Sequence, residues 1–262
     1  MSTKTLPSVR RERIFSWIEE NRFARVTELS SAFDISEVTV RSDLDHLERR
    51  GQVKRVHGGA VLHEPPSRIE RSFEEQFEAS ADEKRAIGAK AADLVASGDT
   101  VIIDVGTTCA AVAEAIVARS ELYEVTVVTN GLNIAPIFEP AMPRFSVVVT
   151  GGTVRPLQHS LVDPFGGPVL DRLHADLMFV GCNGVHAEHG VTNINLPEAE
   201  MKHRMMRAAR RSIAVADGSK LGQVSTAWVC DLDSIDLLIT SPSAAAAEIA
   251  ALEEQGLETL VA

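Results

Sequence analysis

Residues 100–117 read TVIIDVGTTCAAVAEAIV. The run TVII (100–103) has the length and β-branched content of a buried strand, and CAAVAEAIV (109–117) reads as a helix. Between them, DVGTT (104–108) supplies a glycine-containing turn rich in hydroxyls. A strand, such a turn and a helix N-terminus together make an anion cradle, because unpaired helical N–H groups and hydroxyls donate into it.

The same alternation continues outward. Further strands are expected at VTVVT (125–129), SVVVT (146–150), DLMFVG (176–181), SIAVA (212–216), IDLLI (235–239) and LETLV (257–261), with helices at 82–97, 108–119, 197–211 and 243–255. Continuous apolar strands between helices predict a mostly parallel sheet covered on both faces. Ligands of such sheets bind beyond the carboxyl ends of the strands. Those ends carry Asp104, Gly106, Thr107 and Thr108; Thr129 and Asn130; Gly151, Gly152, Thr153 and Arg155; Asn183; and Asp217 and Lys220. Five ends of one chemical character predict a pocket for a phosphorylated small molecule. Glu198 and Lys202 stand four residues apart on the helix at 197–211. They read either as a surface ion pair or as a sugar-hydroxyl acceptor beside a cation that approaches the phosphate.

The chain has 262 residues, 45% of them hydrophobic, and a net charge of −11. That balance argues against a general polyanion binder, but it is uneven. Residues 1–63 hold 11 Lys and Arg against 9 Asp and Glu, while the remainder holds 15 against 28. A mildly basic head on an acidic body can still bind DNA through a local patch, although charge alone would fit ordinary surface variation as well. Cys109, Cys182 and Cys230 are far apart and sit in or beside apolar runs, as reduced packing residues of a cytoplasmic protein do. No export signal or membrane-length apolar run is evident, and neither a metal nor a cofactor is expected.

In the head, Ile14, Trp17 and Ile18 make one helical stripe. A second helix, at 26–33, is capped by Thr27 and carries Leu29, Ala32 and Phe33. Asp34 and Ile35 turn tightly, and Ser36 caps a third helix at 37–50 that ends at Gly51. Val40, Leu44 and Leu47 form its buried face. The opposite face presents Val38, Arg41 and Ser42, with Thr39 and His46 at its edge, and suits a DNA major groove. QVKRVHGGAV (52–61) follows as a basic hairpin, or wing, with Val53 and Val56 pointing one way and Lys54 and Arg55 between them; His57 and Gly58-Gly59 make its turn. The candidate DNA contacts are Ser36, Val38, Thr39, Arg41, Ser42, His46, Lys54, Arg55 and His57. HEPPSRIERSFEEQFEASADEK (63–84) then reads as a polar connector. Its proline pair marks a boundary, and a helix is expected near 70–79, with Ile69, Phe73 and Phe77 on one side.

VTELSSAFDISEVTVRSDLDHLERRGQVKRVHGGA (26–60) resembles the winged helix-turn-helix of the DeoR family of bacterial regulators, with Ser36-x-x-Thr39-Val40-Arg41, Asp43-Leu44, Gly51, Arg55 and His57-Gly58-Gly59-Ala60 in step. Ser42 departs from the Arg or Lys usual there, which removes a positive charge from the reading face. VTNGLNIA, VTGGTVR, FVGCNGV, EAEMK and VADGSKLG are similar to the family's C-terminal sensor, whose fold resembles ribose-5-phosphate isomerase and glucosamine-6-phosphate deaminase. The resemblance implies an α/β chain with a winged helix-turn-helix domain at 6–62 (helix-turn-helix 24–43), a linker at 63–80 and a sugar-phosphate sensor at 81–262. It also implies operator DNA and a phosphorylated sugar as partners, and an even-numbered homo-oligomer. The expected function is a transcriptional regulator, a repressor of carbohydrate-metabolism genes relieved by its effector. The alternatives are an isomerase-like enzyme with an accessory DNA-binding module, for which Asp104, Glu198 and Asp217 supply carboxylates, and a DNA-binding structural protein without a ligand.

Overall fold

In the computed structural model, residues 7–21, 23–49, 53–56, 58–62 and 70–262 are described. Gly51, His57, Ile69 and the Pro65-Pro66 pair lie outside them. The chain divides into two units, Met1–Ser67 and Arg68–Ala262.

The first unit runs α1 (Pro7–Asn21), β1 (Phe23–Arg25), α2 (Val26–Phe33), α3 (Glu37–Arg49), β2 (Val53–Val56) and β3 (Gly59–Leu62). Its strands form an antiparallel sheet in the order β1-β3-β2. Ile14 and Ile18 of α1 pack with Leu29, Val40, Leu44, Leu47, Val53 and Ala60 in one core. Trp17 does not join that core: it is 38% exposed and meets Phe33 edge-on, with ring centroids 6.0 Å apart. Ala32 is also exposed. Thr27 is no cap, because α2 starts one residue earlier, at Val26, and the Glu28 carboxylate accepts the Arg25 N–H at 2.9 Å. Asp34 closes α2 in the left-handed region at φ 50°, a conformation a short polar side chain tolerates. Ser36 does cap α3, its Oγ accepting the Thr39 N–H at 3.2 Å.

The two-residue period of a strand corrects the expectation for β2. Val53 and Arg55 share one face, and the valine is buried; Lys54 and Val56 take the other and are exposed. Asp43 on α3 is 1% exposed beneath two guanidinium groups. Arg10 Nε donates to its Oδ2 at 2.6 Å, and Arg11 Nε to its Oδ1 at 2.9 Å.

The second unit continues with α4 (Phe73–Phe77), α5 (Ala81–Ala92), β4 (Thr100–Ile103), α6 (Thr107–Ala118), β5 (Val125–Thr129), α7 (Ala135–Phe138), β6 (Phe145–Val149), β7 (Thr153–Arg155), β8 (Ser160–Val162), α8 (Gly167–Leu170) and β9 (Ala175–Val180). It ends with β10 (Gly184–His186), β11 (Gly190–Asn193), α9 (Leu196–Arg207), β12 (Ala209–Ala216), β13 (Ala227–Cys230), β14 (Leu237–Thr240), α10 (Ala246–Glu254) and β15 (Thr259–Val261). The sheet order is β15-β14-β12-β9-β4-β5-β6, parallel throughout.

Alternation along each strand sends side chains to two cores. Val101 and Ile103 of β4 meet Ile87 of α5 and Val112 and Ile116 of α6. Ile102 between them meets Met201 and Met205 of α9 on the other face. The helix expected to run to Arg211 stops at Arg207, because Ala209–Arg211 already pair as β12 with β9. The sequence shows no breaker there; the pairing partner decides. The β7–β8 hairpin and the small β10-β11-β13 sheet were not expected.

Candidate functional site

Chain direction away from β4 reverses the sheet order. β5 and β6 lie to one side, and β9 and β12 to the other. The loops after β4 and β9 therefore leave in opposite directions, which is where ligands of such sheets bind. Asp104 and Gly181 stand there, and the Gly181 N–H donates to Asp104 Oδ2 at 3.1 Å. Gly106 leads into α6 at φ 123°, a left-handed backbone that glycine alone adopts freely.

Two ionic groups meet at this edge. In the first, Lys202 of α9 pairs with Asp104, both closed to solvent. Burial pushes the Asp104 carboxyl up, against Lys202 and the Gly181 N–H. Burial would lower Lys202, but Asp104 and then Glu198 outweigh it and hold it above its ordinary value. The lysine's direction governs: with two carboxylates acting on it, Lys202 stays protonated. In the second group, the Arg155 guanidinium reaches Glu198 Oε1 at 2.5 Å and Glu70 Oε1 at 3.0 Å. Glu198 also takes the Ser160 hydroxyl and, at 3.4 Å, Asn193 Nδ2. Glu198 and Lys202 are each 3% exposed, so the surface-pair reading fails; each has its own partner, and they do not pair with one another.

Cys182, after β9, reports what else converges here. Burial drives its thiol up to about 12, and the charges that act on it belong to Lys202, Lys220, Asp217 and Asp104. The ends of β4, β9 and β12 are neighbours in the sheet, and α9 joins them through the Lys202–Asp104 pair. Asp217 accepts the Ser219 N–H at 3.0 Å, while Lys220 is half-buried. Lys84 of α5 is a neighbour the sequence reading missed. It is 5% exposed and donates to the Gln76 and Ala79 carbonyls at 2.5 and 2.6 Å. Burial lowers its pKa, and the Asp217 charge opposes that. Its spacing with Ile87, Gly88 and Ala91, all on the buried face of α5, was the available signal.

Not every expected residue is reachable. Asp104, Thr129 and Asn130 are fully buried. Thr129 Oγ1 accepts the Gly131 N–H at 2.9 Å, and Asn130 Oδ1 accepts the Val105 N–H at 3.1 Å, so these side chains brace the loops. Asp104 Oδ1 and Asn130 Nδ2 have no hydrogen-bond partner. Thr108 and Asp217 are nearly closed to solvent, at 9% and 4% exposure. Gly106, Thr107, Gly151, Gly152, Thr153, Arg155, Asn183 and Lys220 are half-buried or exposed. Glu70, Lys84, Ser160 and Asn193 join the site without having been foreseen. A groove of about 380 Å³ lies among Phe73, Glu74, Phe77, Glu78, Leu132, Asn133 and His159, but two acidic side chains and no Lys or Arg make it wrong for a phosphate.

In the first unit, α3 presents Val38 at 73% exposure. Arg41 and Ser42 are exposed beside it, while Thr39 and His46 are half-buried. Arg41 rests on Glu37 at 2.7 Å, a loose i,i+4 pair that DNA phosphate can replace. Ser36 and Thr39 share a hydroxyl contact at 2.9 Å and serve the cap first. Arg55 turns inward, donating to Asp45 Oδ1 at 3.0 Å and to the Arg41 carbonyl at 3.2 Å, so it braces β2 against α3. Lys54 is the exposed cation of that strand.

The pattern of the DeoR-like helix-turn-helix domain matches residues 10–65, and that of the DeoR C terminal sensor domain matches residues 79–242. The chain belongs to the DeoR family. As a member of that family it is a DNA-binding transcriptional regulator, and the isomerase-like enzyme reading gives way. This DeoR-family chain is 34% identical over 256 residues to the HTH-type transcriptional regulator GolR of Listeria innocua, covering 98% of this chain and 99% of that protein. It is 31% identical to a putative aga operon transcriptional repressor of Escherichia coli O157:H7, covering 97% and 93%. Among solved structures it is similar in fold to ribose 5-phosphate isomerase A of Methanocaldococcus jannaschii. The identity is 16% and the TM-score 0.41, over 54% of this chain and 55% of that one. Among the described residues no helix is long and apolar enough to cross a membrane, and no group of three His, Cys, Asp or Glu side chains could hold a metal ion.

Proposed function

We propose that the chain is a cytoplasmic repressor of carbohydrate-metabolism genes, and that a phosphorylated sugar bound at the carboxyl edge of the parallel sheet releases it from its operator. The observation that carries this is the placement of Asp104, Cys182 and Asp217–Lys220 after the neighbouring strands β4, β9 and β12 at a strand-order reversal, with Lys202 of α9 paired to Asp104. Lys220 and the Gly151–Thr153 loop supply a cation and backbone donors for the phosphate, and the half-buried Asn183 faces the sugar. The exposed face of α3, from Val38 to Ser42, reads the major groove, and Lys54 meets phosphate. Paired half-sites require paired heads, so the acting species is an even-numbered homo-oligomer. Release requires that the effector bind the DNA-competent arrangement less tightly than the other.

Operator retention measured against a panel of sugar phosphates tests the reading. Loss of retention with one of them is expected; unchanged retention with all of them at saturation would overturn it. A DNA-binding structural protein without a ligand would show no thermal shift with any of them.

A further inference from the structure

The β7–β8 hairpin holds the connector almost residue by residue. Arg155 pairs with Glu70, Gln158 Nε2 donates to the Arg71 carbonyl at 2.6 Å, the Leu157 carbonyl accepts the Phe73 N–H at 2.9 Å, and His159 Nε2 lies 2.7 Å from Glu74. Residues 70–74 follow closely in sequence on the DNA-reading unit. The hairpin itself springs from Gly151-Gly152-Thr153, the loop assigned above to the phosphate.

Arg155 is the point where these two roles meet. One guanidinium serves two carboxylates, Glu70 and Glu198, which are 10% and 4% exposed as side chains. That arrangement already has one negative charge in excess. A phosphate arriving two or three residues away adds more, and a single guanidinium cannot satisfy three anions at short range. Glu198 is the less able to leave. It is anchored in the first turn of α9, where its N–H donates to Asn195 Oδ1 at 3.1 Å, and it keeps Ser160 and Asn193 as partners. Among the described residues, Glu70 has Arg155 as its side-chain partner and no other.

We propose that Glu70, Arg155 and Glu198 form an effector-sensitive latch: an anion bound at the Gly151–Thr153 loop draws Arg155 away from Glu70 and loosens the Glu70–Phe77 segment from the hairpin. The proposal rests on the phosphorylated-sugar reading above and adds the route by which occupancy reaches the chain leading to the DNA head. Glu70 is in this view a positioning residue, acting through Arg155.

Hydrogen–deuterium exchange on the full chain tests it. In Glu70→Gln, the amides of 72–77 should exchange about tenfold faster while those of α6 do not change; unchanged exchange at 72–77 would overturn the latch. Inorganic phosphate, glucose 6-phosphate and ribose 5-phosphate serve as probes, with thermal shift as the measure of binding. A probe that binds wild type should produce the same acceleration, and should bind Glu70→Gln more tightly because Arg155 then has Glu198 as its one carboxylate partner and no longer serves Glu70. A probe that binds and leaves 72–77 unaltered overturns the latch. Faster exchange in Glu70→Gln with no binding of any probe would uphold the tether and overturn the phosphorylated-sugar reading instead.

Discussion

The Lys202 ammonium and the Asp104 carboxylate, 98 residues apart in sequence, pair at the sheet's carboxyl edge with 3% and 0% of their side chains exposed. A buried pair adds little over an apolar replacement, but removing one partner strands the other charge. Lys202→Met should therefore cost about 3–5 kcal/mol in urea unfolding at neutral pH. Burial already favours the protonated form of Asp104. Without Lys202 its folded pKa rises still further above the unfolded value, so the variant should regain stability as pH falls and Asp104 takes a proton. A loss that does not depend on pH would count against this.

Lys220 presents the opposite case. It is half-buried and no hydrogen bond or ion pair fixes its ammonium among the described residues. Lys220→Ala should leave stability within about 0.5 kcal/mol of wild type and DNA binding intact, while abolishing the response to effector. A variant that remains inducible would remove Lys220 from the phosphate site.

Arg41 and Val38 occupy the open face of α3. Arg41→Ala should weaken operator binding by about 1–3 kcal/mol if the guanidinium reads a base edge. Fluorescence anisotropy with labelled operator would measure it. A uniform loss on every DNA sequence would instead mark Arg41 as a phosphate contact.

Asp43 sits beneath Arg10 and Arg11. Burial acts to raise its pKa, and the hydrogen bonds from Arg10 and Arg11 outweigh burial and leave it lowered. The stability it contributes is thus fully present above the unfolded carboxyl value, about 4, and is lost as pH falls through the folded value. Asp43→Asn should destabilise the first unit by about 3 kcal/mol at neutral pH and flatten its acid transition. Trp17 fluorescence in a Trp228→Phe background would follow both.

All seven expected strands of the large sheet are present: continuous apolar runs such as TVII and LLIT suit inner strands buried on both faces, while β6 and β15 at the edges are largely exposed. What escaped the sequence reading depends on distant partners. Ala209–Arg211 carry no breaker, yet they leave the helix because β9 supplies hydrogen bonds. Phe23–Arg25 become a strand because β3 lies alongside. At the candidate site, the residue types were legible and the pairings were not. Glu198 and Lys202 share a helix face, but their partners, Arg155 and Asp104, come from other elements. Arg55 reads as a free cation until Asp45 and the Arg41 carbonyl are beside it.

The reversal of strand order at β4 and β9 has a consequence for change over time. The divergence of the loops there is made by the route of the main chain and not by small side chains, so on the proposed reading substitutions in the surrounding turns re-tailor which metabolite is accepted while the strands that carry them keep their places. Specificity can drift while the hydrocarbon layers above and below the strands stay as they are.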